Sequence, residues 1–237
     1  MLPLADENLP NRGWAYATLA IIAINVLVFV FLQLPSDAFT YGWSVVPREI
    51  TQGVDLVGPV TVTAGGESVV IPMEPGPSPI QLTLLSSMFM HGGWLHLLGN
   101  MLFLFIFGDN VEHHMGRIKY VLFYLLAGAV GSLAQIAIGP NSLIPSLGAS
   151  GAISGVLGAY LVLFPSNRVL VVLFRFVTWV PALVAIGLWA AMQFILGIGQ
   201  IAVTEQTGGV AYMAHIGGFV AGVVVGLLAK SLMSRSA

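Results

Sequence analysis

The sequence predicts an all-α membrane protein, a bundle of six transmembrane helices with a long external first loop. Three observations predict it. Of the 237 residues, 57% are hydrophobic and 8% charged, where a soluble domain carries about 25% charged residues. The apolar residues gather into six runs, about the length needed to cross roughly 30 Å of hydrocarbon at 1.5 Å per residue. When those runs are threaded through a bilayer in turn, the basic residues fall almost entirely on one side.

In chain order, residues 1–13 are polar, with Asp6, Glu7 and Arg12, and read as a short mobile cytoplasmic tail; 14–234 read as one six-span domain. The first span covers about 14–34. It is too long for the apolar part of a cleaved signal and is read as retained. Asn25 within it is expected to bond a neighbouring helix. The external loop follows over 35–93, marked by prolines at 47, 59, 72, 75, 77 and 79. Inside it, Val60-Thr61-Val62-Thr63 and Ser68-Val69-Val70-Ile71 flank Gly65-Gly66, the pattern of a β-hairpin. Ile80–Met90 is apolar but broken by Ser86 and Ser87, and reads as an interfacial segment. The remaining spans are expected near 94–112, 118–138, 147–164, 176–198 and 209–230. A charged loop is expected over 109–119, a Pro181 kink in the fifth span, and an outer loop holding Glu205.

Six spans put both termini on one side. With that side cytoplasmic, Arg12, Arg117, Lys119, Arg168, Arg175, Lys230 and Arg235 lie inside and Arg48 alone outside, which satisfies the positive-inside rule. The expected location is therefore the cell membrane, multi-pass, with both termini cytoplasmic. The second, fourth and sixth spans then run inward together, so His96, Asn100, Ser150 and His215 sit one or two turns below the outer surface.

Helical spacing brings these groups within reach of one another. His215, Gly218, Gly222 and Gly226 share one face of the sixth span, and Gly151, Gly155 and Gly158 form a smooth ridge beside Ser150 and Ser154. Small residues at such spacing let helices approach closely enough for a Ser–His hydrogen bond. A serine hydroxyl attacks a carbonyl only when a base removes its proton, and His suits that task near neutral pH. The spans hold no Asp or Glu at that depth, so the expectation is a Ser150–His215 dyad without an acid. Asn100, His96 and the Ser150 backbone N–H are the donors available to a developing oxyanion. The dyad opens toward the external side.

These motifs resemble the rhomboid intramembrane serine proteases in order and spacing: His91…His96-x-x-x-Asn100, Gly148-x-Ser150-Gly151, and Ala214-His215-x-x-Gly218-x-x-x-Gly222. Glu112-His113-His114-Met115-Gly116-Arg117 is similar to the Glu-x-x-x-Gly loop after the second span of that family. The resemblance covers about 80–228. It implies a six-helix rhomboid fold, Ser150 as nucleophile, His215 as general base and then acid, and Asn100, His96 and the Ser150 backbone as the oxyanion site. It also implies a single-span membrane protein as substrate, unwound so that a bond beside a small residue meets Ser150, and water reaching that depth through an outward cavity. Two positions depart from the family pattern. Leu82 and Thr83 stand where many members carry Trp-Arg, and Ser154 stands where some place a Tyr beneath the catalytic His, so that stacking contact is absent or comes from another residue.

Other classes are less well supported. Zero cysteines exclude disulfides and thiolate chemistry, and a net charge of −2 offers no nucleic-acid surface. No cofactor or metal is called for: His113 and His114 read as a solvated loop. Glu112 and Arg117 are expected to fix that loop as a pair. The partners expected are single-span substrates and the lipid bilayer. A small transporter would also explain intramembrane His and Asn, but no internal repeat is visible. An inactive rhomboid-like client-binding protein would not need both Ser150 and His215.

Overall fold

A computed structural model describes residues 2–8, 13–64, 67–173, 175–202 and 210–233. Strand β1 (Leu2–Asp6) precedes α1 (Tyr16–Val28), which a π-helical turn at Phe29–Gln33 extends. The connection to the next long helix holds α2 (Asp37–Trp43), α3 (Pro47–Gln52), the hairpin β2 (Gly58–Ala64) and β3 (Glu67–Met73), and the short α4 (Thr83–Ser86) between 3-10 turns. Then come α5 (Trp94–Met115), α6 (Arg117–Ile138), α7 (Ser150–Leu163), β4 (Arg168–Leu173), β5 (Phe176–Pro181), α8 (Ala182–Ala202) and α9 (Tyr212–Met233).

Among the described residues five helices are long and apolar enough to cross a membrane: 16–33, 94–115, 117–138, 182–199 and 212–231. The expected fourth span, α7, has 14 residues, about 21 Å against roughly 30 Å of hydrocarbon. Its neighbours make up for its length. Every residue from Gly151 to Tyr160 is buried, so α7 is the axis of the bundle and is apolar all round, as a wholly enclosed helix should be.

Small residues set how closely the axis is held. A methyl at Gly218 would strike the Gly151 carbonyl oxygen, and one at Gly222 the Gly155 carbonyl oxygen. Helices α7 and α9 therefore touch backbone to backbone along the ridge the glycine spacing predicts. They run parallel, since the Lys230 ammonium near the end of α9 reaches the Val162 carbonyl near the end of α7. Glu112 ties α5 to α1: its carboxylate accepts from the Ala17 and Thr18 amides at 3.0 and 2.7 Å and from the Thr18 hydroxyl at 2.8 Å. These are amides of a helix's first turns, which lack partners inside their own helix.

Several expectations are corrected. The segment read as a mobile tail contains β1, which pairs antiparallel with β4. Its buried Asp6 carboxylate accepts from Asn110 Nδ2 at 2.7 Å and from the Tyr160 hydroxyl at 2.6 Å. A buried carboxylate with two good donors outweighs the polar composition that suggested solvent. The expected loop over 109–119 is helix almost throughout: α5 and α6 meet at Gly116 alone, whose φ of +81° makes the turn. His113 and His114 end α5; Nδ1 of His113 lies 2.7 Å from the Asp109 carbonyl, and the His114 ring stands edge-on to Phe164. Glu112 chiefly caps α1, with Arg117 3.9 Å away and its guanidinium over the Tyr16 ring. Residues 176–181, read as the start of the fifth span, form β5, because β-branched Val177, Thr178 and Val180 find a partner strand in β4. Pro181 closes that strand and leads into α8, so it kinks no helix. Asn25 meets the buried Tyr124 of the neighbouring helix α6, as expected, and also donates to the Ile21 carbonyl of its own helix at 2.8 Å. The predicted hairpin is present, with Val60 opposite Ile71 and Thr63 opposite Ser68. Its turn at Gly65-Gly66 lies outside the described residues, as do Arg12, Glu205 and Arg235.

Candidate active site

Ser150 is the first residue of α7, and the loop before it is fixed on both sides. The Gly148 amide donates to the Ser87 carbonyl at 2.9 Å, and Val45 and Ser146 exchange two backbone bonds. Gly148 has φ +134°, a conformation other residues rarely adopt. It is also pressed against His96: a Cβ there would stand 3.1 Å from His96 Nε2 and 3.6 Å from Ser150 Oγ. The first ladder bond of α7 runs from the Ile153 amide to the Ala149 carbonyl at 3.0 Å. The Ser150 amide therefore belongs to the helix's unladdered amino end, where the helix dipole favours negative charge.

His215 enters from α9 through the glycine contact. Its Nε2 is 2.7 Å from Ser150 Oγ. On the other side of the ring, Nδ1 is 2.8 Å from Oε1 of Gln193 on α8. An amide oxygen only accepts, so Nδ1 carries the proton and Nε2 is left as the acceptor for the Ser150 hydroxyl. One turn earlier on α8, the Trp189 ring lies 6.2 Å from the His215 ring and inclined to it by 34°. Tyr212 approaches from α9, edge-on at 6.4 Å. Aromatic packing on His215 thus comes from α8 and α9, while Ser154 donates to the Ser150 carbonyl at 2.6 Å inside α7.

His96 and Asn100 lie one turn apart on α5. The Gly92 amide donates to His96 Nδ1 at 3.2 Å. That bond makes Nδ1 the acceptor and leaves the ring proton on Nε2, the nitrogen facing Gly148. Asn100 is buried and donates to the His96 carbonyl at 3.1 Å. His91 stands behind His96, ring edge to ring face, with centroids 5.1 Å apart. Gln33 grips the His91 backbone on both sides, accepting from its amide at 2.8 Å and donating to its carbonyl at 3.1 Å.

The four residues singled out in the sequence are therefore gathered at one end of the bundle. Sequence reasoning missed Gln193, Trp189 and Gln33. The first two stand four apart on α8, on one face, and that spacing was readable. No polar partner for them lay in the same run, so nothing marked the pair as more than lipid-facing or packing residues. Chemically, the arrangement offers a hydroxyl bonded to an imidazole nitrogen that can take its proton, with a second imidazole N–H beside the Gly148 loop that leads into it.

Residues 81–231 match the Rhomboid domain. The chain is 32% identical over 215 residues, 87% of its own length and 51% of the other's, to the mitochondrial Rhomboid protein 1 of Saccharomyces cerevisiae. It is 35% identical over 144 residues to the Rhomboid protease GluP of Bacillus subtilis, covering 61% of this chain and 26% of that protein. It is 34% identical over 145 residues to RHOMBOID-like protein 4 of Arabidopsis thaliana, covering 61% and 33% respectively. The chain thus spans between 26% and 51% of the length of these relatives. With the domain match extending over more than half of its residues, the chain belongs to the rhomboid family.

Proposed function

We propose that the protein is an intramembrane serine endopeptidase that cleaves single-span membrane proteins. The observation that carries the reading is the 2.7 Å bond between His215 Nε2 and Ser150 Oγ. In the first half-reaction Ser150 Oγ attacks the carbonyl carbon of the scissile peptide and its proton passes to His215 Nε2. The tetrahedral oxyanion is met by His96 Nε2–H, by Asn100 and by the Ser150 amide. Asn100 turns its amide from the His96 carbonyl to reach that oxygen. His215 then gives the proton to the leaving amine, and an acyl-serine remains. A water enters from the open end and attacks the acyl carbon as His215 takes its proton; His215 then returns a proton to Ser150 Oγ as the C–Oγ bond breaks, and the carboxylic acid product leaves. Gln193 keeps the imidazole in the tautomer this cycle needs, in the place where soluble serine proteases use a carboxylate.

The same reading has six spans, with α7 the short central one, and it sets the orientation. Arg117, Lys119, Arg168, Arg175 and Lys230 belong to the end of the bundle away from Ser150, and Arg48 to the connection near it. The positive-inside rule therefore puts the termini on the cytoplasmic side of the cell membrane and the dyad toward the outside.

The test is a fluorophosphonate probe and a model single-span substrate, applied to the purified protein and to Ser150→Ala and His215→Ala. The wild type should label and cleave, and both variants should do neither. Labelling that survives in Ser150→Ala would move the nucleophile elsewhere. A wild type that neither labels nor cleaves would leave a client-binding role.

A further inference from the structure

The sheet β1-β4-β5 lies at the end of the bundle opposite Ser150, and the middle of its outward face is apolar. Val169 and Val171 of β4 are buried on one side. On the other, the registers align Leu2, Val172 and Val177 in one row and Leu170 with Trp179 in another. Leu2, Val177 and Trp179 are 47%, 59% and 41% exposed. An antiparallel sheet whose outer face meets water alternates to polar residues there; these two rows contain none, and the third outward row, at the end of the strands, pairs Arg168 with Pro181.

We propose that this outer face is a membrane-binding plate. It lies in the interfacial layer of the leaflet away from Ser150, against the first acyl-chain carbons and anionic headgroups, and it fastens β1 to the bilayer. Four observations carry the assignment. The face continues an existing lipid wall, since β5 leads through Pro181 straight into α8, whose Leu183 and Leu188 are exposed. The 14 residues of α7 fall about 9 Å short of the hydrocarbon thickness, so the chain that follows begins near the boundary and not out in water. Arg168 and Arg175 are exposed at the sheet's ends, placed for anionic headgroups. Among the described residues the outer edges of β1 and β5 have no strand partner and need water or headgroups, which holds the plate at the interface and out of the core. A second copy fits poorly: strands of five, six and six residues offer roughly 300 Å², against about 800 Å² per partner in a stable pair.

The chain has no cysteine, so a nitroxide can be placed at Val177→Cys and, separately, at Val172→Cys without background. Thr63→Cys in the β2–β3 hairpin is the aqueous reference. In the full chain reconstituted into phosphatidylcholine vesicles, oxygen should relax both face labels several-fold more than a water-soluble nickel chelate does, with the opposite order at position 63. Adding phosphatidylglycerol should deepen both face labels. Face labels that behave like position 63 would overturn the proposal. So would spin–spin broadening that disappears on dilution with unlabelled protein, since a second copy would then cover the face. None of these readouts depends on protease activity.

Discussion

Oε1 of Gln193 lies 2.8 Å from Nδ1 of His215, on the side of the ring away from Ser150. A neutral amide oxygen can hold the tautomer but stabilises an imidazolium less than a carboxylate would. Gln193→Leu should lower kcat about 10²-fold with little change in KM. Gln193→Glu should keep the tautomer and move the acid limb of the pH–rate profile to higher pH, because a carboxylate favours the protonated ring. An unmoved limb in Gln193→Glu, with a lowered melting temperature in both variants, would reduce Gln193 to a packing residue.

Gly148 leaves no room between the loop and His96. Gly148→Ala should push the His96 ring away by a few tenths of an ångström and strain a backbone at φ +134°. Turnover should fall by at least 10-fold, while fluorophosphonate labelling of Ser150 falls less, since labelling needs the dyad more than the oxyanion donors. Asn100→Ala should act the same way, at about 2.7 to 4 kcal/mol in transition-state stabilisation. Equal losses of labelling and turnover would place both effects on the nucleophile.

The α7–α9 contact has no space for a side chain. Gly222→Val, two turns below His215, should force the helices apart and destabilise the protein by about 3 kcal/mol, at the upper end of overpacking costs. Activity should fall with it, because the same contact brings imidazole to hydroxyl. Thermal unfolding in detergent beside kcat/KM checks this; an unchanged melting temperature would mean the helices can slide.

Glu112 satisfies three donors at the start of α1. Glu112→Ala leaves those buried donors bare and should cost about 3 kcal/mol. The dyad lies at the other end of α5, so turnover per folded molecule should be unchanged. A selective fall in kcat at full stability would contradict the structural role.

His91 is buried, neither ring nitrogen has a hydrogen-bond partner among the described residues, and the ring packs on His96. Burial first, and then the nearby His96 charge, pushes its pKa down to about 3. An unfolded chain protonates this residue near 6.5 and the native state near 3. Its contribution to stability is therefore level above pH 6.5 and is lost as pH falls through that window, by up to about 1.4 kcal/mol per pH unit. His91→Phe should flatten the decline of melting temperature between pH 6.5 and 4. Parallel declines in wild type and variant would assign the acid sensitivity to other groups.

The helices, the hairpin and the gathering of Ser150, His215, His96 and Asn100 at one end were legible because each rests on a local signal: apolar run length, β-branched alternation around Gly-Gly, or glycines at helical spacing. Asp6 and residues 176–181 were misread for a common reason. A carboxylate reads as solvated until Asn110 and Tyr160 are known to meet it, and an apolar stretch reads as helix until a partner strand is known.

The sequence by itself determined that the chain is a helical membrane protein, that its basic residues gather at one set of span ends, and which hydroxyl and imidazole have smooth helix faces on which to meet. Run length, charge placement and residue size are properties of single segments, and they act before any packing. Only the tertiary structure decided what stands behind the imidazole, how completely α7 is enclosed by its neighbours, and that the first strand is built into a sheet. Each of those depends on atoms brought together from distant parts of the chain, such as Gln193 beside His215 and Leu2 beside Val172.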